Sequence, residues 1–306
     1  MKVLIVRFRA LGDCVMTAWA ATALRQSHGA ELTWGVECSC APIIATPELA
    51  EVHTFNRQHW KKHRWNPATW QDQIRTYLRL RDHKFDAGFD FQGHGKTALA
   101  LRIAAPMHRF SMPGTDALTK RLNPQFVPLK VHQVDQNLEL VSQFVAVERP
   151  RLPMMPDVPP PLGLGGKLIT ITTGAGHADK RIPIGVWDAV GAEFLARGFE
   201  VVYLGGSGDP EPTAAGAKNM VGKATITDAM GWIRHSALHI AGDTGTGHIA
   251  SAYGVPVVSV FVSNRNLPER YQPYGEMIAV VNAIDSPQGP DPQAILSASD
   301  SLLAVQ

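Results

Sequence analysis

Six prolines, Pro150, Pro153, Pro156, Pro159, Pro160 and Pro161, fall within residues 149–166 of a 306-residue chain. Each removes a backbone donor and bars its predecessor from the helical conformation, so this segment cannot be a regular helix. It reads as a linker, because the same pattern runs on either side of it. Before it, residues 3–6 give a short buried-strand signal that ends in a turn at Gly12. A helical stretch follows over about 15–25, then a strand over 31–36. A further strand is predicted over 85–91 and a helix over about 97–105. After the prolines the pattern restarts with strands at 168–172, 200–204, 237–241 and 255–261 and a helix at 184–197. Strand–helix–strand order predicts parallel α/β sheets. The chain length fits two domains, 1–157 and 158–306, each long enough to bury its own core.

Two such sheets imply a cleft, since ligands of these sheets bind beyond the carboxyl ends of the strands. The Gly-rich and polar clusters fall at those ends: Gly12-Asp13, Gly174-Ala175-Gly176, residues 205–209 and residues 243–248.

Composition narrows the class of function. A net charge of +2 is too small for general nucleic-acid binding, so no nucleic-acid partner is expected. The three cysteines, Cys14, Cys38 and Cys40, are an odd count without repeated spacing, which speaks against a disulfide framework. No second Cys or His pair stands at zinc-ligand spacing, so reduced thiols and no metal are expected. The apolar run 3–6 is too short for a signal peptide and meets Arg7 and Arg9 at once. No stretch approaches the ~20 apolar residues of a membrane span. The expected location is cytoplasmic, with room for peripheral contact at the inner membrane surface.

Two segments carry candidate chemistry. In residues 241–261, AGDTGTGHIASAYGVPVVSVF, a strand ends at Gly242, a Gly/Thr turn follows and a helix begins near His248. Backbone N–H groups at such a turn favour an anion, above all a phosphate. Gly245 and Gly247 allow close approach, while Thr244 and His248 supply side-chain donors. The same residues would also make a simple strand-to-helix turn capped by Asp243. In residues 7–25, RFRALGDCVMTAWAATALR, Asp13 follows a Gly after the first strand. A carboxylate there can act as a general base, or merely cap the helix.

Together these segments resemble the ADP-heptose–lipopolysaccharide heptosyltransferase family, glycosyltransferase family 9. The matching residues are Arg7, Leu11-Gly12-Asp13, Leu24-Arg25, Asp243-Thr244-Gly245, His248 and Pro256. FDAGFDFQGHGKTALALRIA resembles the family's Asp-x-x-x-Asp-x-Gln-Gly stretch through Asp86, Asp90, Gln92 and Gly93, with Lys96 following. HQVDQNLELV, residues 132–141, resembles its His-x-x-x-x-Asn-Leu helix, and residues 174–190 its donor-domain loop with Lys180 and Trp187. The loop 262–275 departs from the family's Gly-x-Thr-Asp-Pro pattern, matching only in Pro273-Tyr274-Gly275. Gly247 replaces the usual bulky residue before His248.

The resemblance implies a GT-B fold, two Rossmann-like domains with parallel sheets facing a central cleft, acceptor in the first and nucleotide-sugar donor in the second. It implies an inverting transferase that moves a heptose from ADP-heptose to an anionic saccharide, the lipopolysaccharide core, with no cofactor or metal. Asp13 matches the family's base. Asp243, Thr244, Gly245 and His248 match the donor diphosphate site, Lys180 the basic residue beside it, and Asp209 an acidic residue near the ribose. HWKKHRW, residues 59–65, reads either as a solvated surface loop or as the family's acceptor loop. Lys61, Lys62 and Arg64, with Lys96 and Arg121, are then the cations for an anionic glycan or glycolipid. A same-fold transferase using another nucleotide sugar or a protein acceptor remains open. So does a non-transferase sugar-nucleotide binding or epimerising protein. An epimerase needs acid/base groups on both faces of the sugar, and only Asp13 is placed by motif.

Overall fold

The first apolar run becomes the centre of a sheet. In the computed structural model, which describes residues 1–161, 163 and 167–305, it forms β1 (Lys2–Val6). Val3, Leu4, Ile5 and Val6 are all fully buried, as a strand covered on both faces requires. Leu4 and Val6 pack with Tyr77, Ala100 and Leu101, from the helices Pro67–Arg79 and Gly95–Ala104. By the pleat, Val3 and Ile5 point to the other face.

β1 pairs in parallel with β2 (Glu31–Glu37) and with β4 (Ala87–Asp90); β3 (Glu51–Phe55) and β5 (His108–Ser111) complete the order β3-β2-β1-β4-β5. The helix Leu11–His28 is tied to the helix Gln133–Ser142 by Asn137, whose Nδ2 donates to the Met16 carbonyl at 3.1 Å.

The second half repeats the plan. β6 (Leu168–Thr172) lies centrally, β7 (Glu200–Leu204) and β8 (Lys218–Asn219) on one side, β9 (Leu238–Gly242), β10 (Val257–Phe261) and β11 (Ile278–Asn282) on the other. All pairs are parallel. Ile169, Ile171, Trp187, Phe194, Tyr203 and Ile240 lead its core, and the Tyr203 hydroxyl donates to the Trp187 carbonyl at 2.9 Å. The chain divides into two compact units, Met1–Pro156 and Asp157–Gln306.

Strand order reverses between β1 and β4 in the first unit and between β6 and β9 in the second. Those reversals are where sheets of this kind open for ligands.

Several sequence expectations change. β3, β5, β8 and β11 were not expected, and each is the edge of its sheet. β3, β5 and β8 carry polar residues or are very short, so their hydrophobic signal is weak, whereas β11, IAVVN, holds an apolar run that went unread. The first helix starts at Leu11, not near residue 15, so Gly12 and Asp13 lie in its first turn. The helix after β9 is Gly245–Ala252, three residues ahead of the His248 start expected. Of the loop expected at 59–65, residues 59–62 belong to a helix, Arg57–Lys62, whose N-terminus is capped by Asn56 accepting from His59 N at 3.3 Å, and residues 63–65 form a turn. Residues 149–161 of the expected linker carry no helix or strand. Residues 162 and 164–166 of that linker lie outside the described residues.

Candidate active site

At the reversal point of the first sheet the segment 7–10 joins β1 to its helix. Gln92, just beyond β4, clasps it: its Oε1 accepts from Phe8 N at 3.0 Å and Arg9 N at 3.4 Å. Arg7 donates to the Phe91 carbonyl at 2.5 Å and ion-pairs with Asp13 Oδ2. Asp13 is the third helical residue, and Ala10 holds the N-cap position. The capping role considered for Asp13 is therefore only a 3.4 Å bond from Ala10 N to the same Oδ2. Both of these contacts are made by Oδ2, and the side chain is 31% exposed. One carboxylate oxygen is anchored, and the carboxylate stays partly open to solvent.

Beneath this segment lies Asp90, fully buried at the end of β4. Its Oδ1 accepts from Gln92 N (2.9 Å) and Gly93 N (3.1 Å), and its Oδ2 from the Thr97 hydroxyl (3.0 Å). Burial pushes its carboxyl up to about 6, against the opposing pull of those donors. A carboxyl raised in the fold contributes stability that is full below its unfolded value near 3.8 and lost as pH rises through about 6. The loss is about 3 kcal/mol. Asn at this position still accepts both backbone bonds and can donate to the Thr97 oxygen. We expect Asp90→Asn to gain about that much relative to wild type between pH 4 and 7, measured by urea unfolding at each pH. A constant difference across that range would refute the buried-charge account.

Also in the first unit, a cavity of about 190 Å³ is lined by Arg57, Lys61, Arg64 and Lys96 with Trp60, Trp70 and Tyr77 among its walls. Arg57 is paired with Glu37 at 2.5 Å. Burial, then the neighbouring Arg57, Arg9 and Lys61, hold the Lys96 ammonium below its ordinary value despite Glu37. Three of the five expected acceptor cations are thus brought together. Lys62 and Arg121 are exposed and do not line this cavity.

The second unit gathers its polar groups at the β6/β9 reversal. Lys180, ending the short 3-10 turn Ala178–Lys180, meets Asp243 just after β9 at 2.5 Å, with the two side chains only 9% and 8% exposed. Neighbouring Asp179 holds Arg265 at 3.0 Å and Ser263 at 2.8 Å, fixing the loop after β10 to the same place. Asp243 was weighed as a helix cap, but the N-cap residue is Thr244, and it makes no side-chain cap bond. Its hydroxyl contacts that of Thr246 at 2.9 Å instead. The first N–H groups of Gly245–Ala252 are therefore left without a side-chain cap, as an anion site needs. His248 is buried within that helix. Gly247 faces Pro273, which a Cβ would approach to 3.2 Å, so the small residue fits the neighbouring Pro-Tyr-Gly loop. Asp209 accepts from Gly206 N at 2.7 Å and lies so close to Gly174 that a Cβ there would overlap its carboxylate.

Sequence reasoning missed Arg7 as the ion-pair partner of Asp13 and Gln92 as the clasp on the segment 7–10, although both stood within matched motifs. It also missed Arg57, Trp60 and Tyr77 around the basic cavity, since their side chains meet only after the helix Pro67–Arg79 folds back.

Two doubly wound parallel sheets, each with polar groups gathered where its strand order reverses, define a GT-B type of α/β chain. The profile of glycosyltransferase family 9 (heptosyltransferase) matches residues 74–294, well over half of the sequence. The chain belongs to that family of sugar-transferring enzymes. It is 26% identical over 284 residues to lipopolysaccharide heptosyltransferase 1 of Pseudomonas aeruginosa, covering 85% of this chain and 78% of that protein. Its fold matches E. coli heptosyltransferase WaaC with ADP at a TM-score of 0.83 and 19% identity, covering 99% of this chain and 100% of that one. E. coli ADP-heptose lps heptosyltransferase II gives 0.77 and 19%, over 99% of each chain.

Proposed function

We propose that the enzyme transfers a heptose from ADP-heptose to an anionic saccharide acceptor of the lipopolysaccharide core, with inversion at the anomeric carbon. The observation that carries this reading is the Asp13 carboxylate, anchored through Oδ2 on a side chain that stays 31% exposed. A single displacement with inversion needs one base, and Asp13 takes the proton of the acceptor hydroxyl as it attacks. The departing ADP carries the growing negative charge. The N–H groups at the start of Gly245–Ala252, Thr244, His248 and the Lys180 ammonium are the groups assigned to it. Asp209 is assigned to the ribose. The acceptor's acidic groups are assigned to the cavity of Arg57, Lys61, Arg64 and Lys96, with Lys62 and Arg121 further out.

Among the described residues no group of three or more His, Cys, Asp or Glu is placed to hold a metal ion. The reading gives the diphosphate to the protein's own donors and takes no cofactor. It places the enzyme in the cytoplasm, at the inner membrane where its acceptor is anchored. No described helix is long and apolar enough to cross a membrane.

The test is transfer itself. The enzyme with ADP-heptose and a heptose-free inner-core acceptor should add one heptose, give the inverted anomer by NMR, and do so unchanged in EDTA. ADP at 100 times its dissociation constant should add about 2.7 kcal/mol of stability, and UDP or GDP at the same concentration much less. Preference for UDP or GDP, or activity lost in EDTA and regained with magnesium, would overturn the donor or the metal-free part of the reading.

A further inference from the structure

The helix Pro67–Arg79 has two different faces. Thr69 and Tyr77 are buried, and the Tyr77 ring lies 5.0 Å from that of Phe55 and 6.4 Å from that of Trp60. This inner face suffices to hold the helix on the first unit. Its other apolar residues look outward: Trp70, Ile74 and Leu78 are 56%, 55% and 46% exposed. They stand four residues apart, so they form one stripe along the helix. Trp65, in the turn just before the helix, is 85% exposed, with the Arg64 guanidinium over its ring at 5.2 Å. Single exposed apolar residues are ordinary, but a continuous stripe marks a surface that binds something.

Charge says what. Residues 57–84 hold eight Lys and Arg against two Asp, a net of +6 in a chain whose total is +2. One of the two acids, Asp72, is engaged by the Trp60 indole N–H at 2.6 Å. Arg75 and Arg79 are exposed on the same helix as the stripe.

We infer that this helix and the turn before it form a membrane-docking surface for a bilayer rich in anionic lipid. The stripe of Trp70, Ile74 and Leu78, with Trp65, enters the headgroup boundary, and the flanking cations face lipid phosphates. A hydrated glycan would use the cations but gains nothing from Ile74 and Leu78. A second copy of the chain would bring the same excess of positive charge against itself. The inference rests on the proposed glycolipid acceptor, whose sugar must be reached at a bilayer surface, but docking is measurable without turnover.

The experiment is flotation of the full chain with phosphatidylglycerol/phosphatidylethanolamine vesicles and, separately, with phosphatidylcholine vesicles. Wild type should float with the first and not the second. Ile74→Ser with Leu78→Ser, and independently Arg75→Gln with Arg79→Gln, should each lower partition about tenfold or more. Both should keep the wild-type melting midpoint and wild-type turnover on a lipid-free acceptor. Wild type that does not float, or floats equally with phosphatidylcholine, overturns the inference. So does a folded serine variant that floats as wild type does. A lipid-free dimer in sedimentation that the serine variant dissociates would give the stripe to self-association instead. Flotation as expected with no heptose transfer by any form would uphold docking while removing the proposed activity.

Discussion

Asp13→Asn should fold, bind ADP nearly as wild type does, and transfer sugar at least a hundred times more slowly. A positioned general base contributes roughly 10²–10⁴-fold in rate. Asn is nearly the same size and still offers an oxygen to Ala10 N, which now bonds Asp13 Oδ2 at 3.4 Å. What it loses is the charge facing Arg7 and the ability to take a proton. Arg7 keeps its bond to the Phe91 carbonyl, but its side chain is only 12% exposed against 31% for Asp13, so the lost ion pair should cost more than the ~1 kcal/mol of an exposed pair and less than the about 3–5 kcal/mol of a fully buried one. The segment 7–10 stays clasped by Gln92. Rate and stability therefore separate. If Asp13 serves only the first turn of its helix, the substitution leaves transfer rate and ADP binding nearly unchanged. A stable, ADP-binding Asp13→Asn enzyme with the wild-type rate would send the search for the base elsewhere in the first unit.

The centre of each sheet was legible because its strands are buried on both faces and therefore read as largely apolar runs, broken only by an occasional polar residue such as the threonines of β6 or His239 of β9. β1, β2, β4, β6, β7, β9 and β10 all fall within a residue or two of where those runs lie. Most of the edges were not legible for the opposite reason: β3 is EVHTF and β5 is HRFS, mixed polar and apolar sequences with no run at all, while β11, IAVVN, carried an apolar run that went unread. The helix Pro292–Leu303 did carry a signal that went unread, an Asp-Pro start in which Asp291 accepts from Gln293 N at 3.0 Å. Helix starts were misplaced because glycines mask them. Gly12 and Gly245 look like turn residues but are helical, which moves Asp13 and Thr244 to new roles.

For the candidate site, residue types and chain order were readable, while their pairing was not. Nothing local says that Lys180 closes on Asp243, since 62 intervening residues carry β7, β8 and two helices before β9 returns beside β6. The basic cavity was half visible for the same reason. HWKKHRW announces its cations, but Lys96 and Tyr77 join them only through helix packing.

That Lys180–Asp243 pair sets the second large effect. With both side chains at 9% and 8% exposure, neither charge is well solvated by water. Removing one partner of a buried pair leaves the other uncompensated and costs about 3–5 kcal/mol. Lys180→Met should therefore lower the stability of the second unit by about that amount, read by urea unfolding. It should also weaken ADP binding, because the diphosphate loses the nearest side-chain cation in its proposed site. The two losses have different causes, and Lys180→Met combined with Asp243→Asn separates them. Neutralising Asp243 removes the stranded charge, so most of the stability should return. The cation is still missing, so ADP affinity by calorimetry should remain at least tenfold below wild type, about 1.4 kcal/mol. If Lys180 acts only as Asp243's partner, the double variant regains both. Wild-type ADP affinity in that stable double variant would take Lys180 out of the donor site and leave the pair as a clamp between the β6 loop and the end of β9.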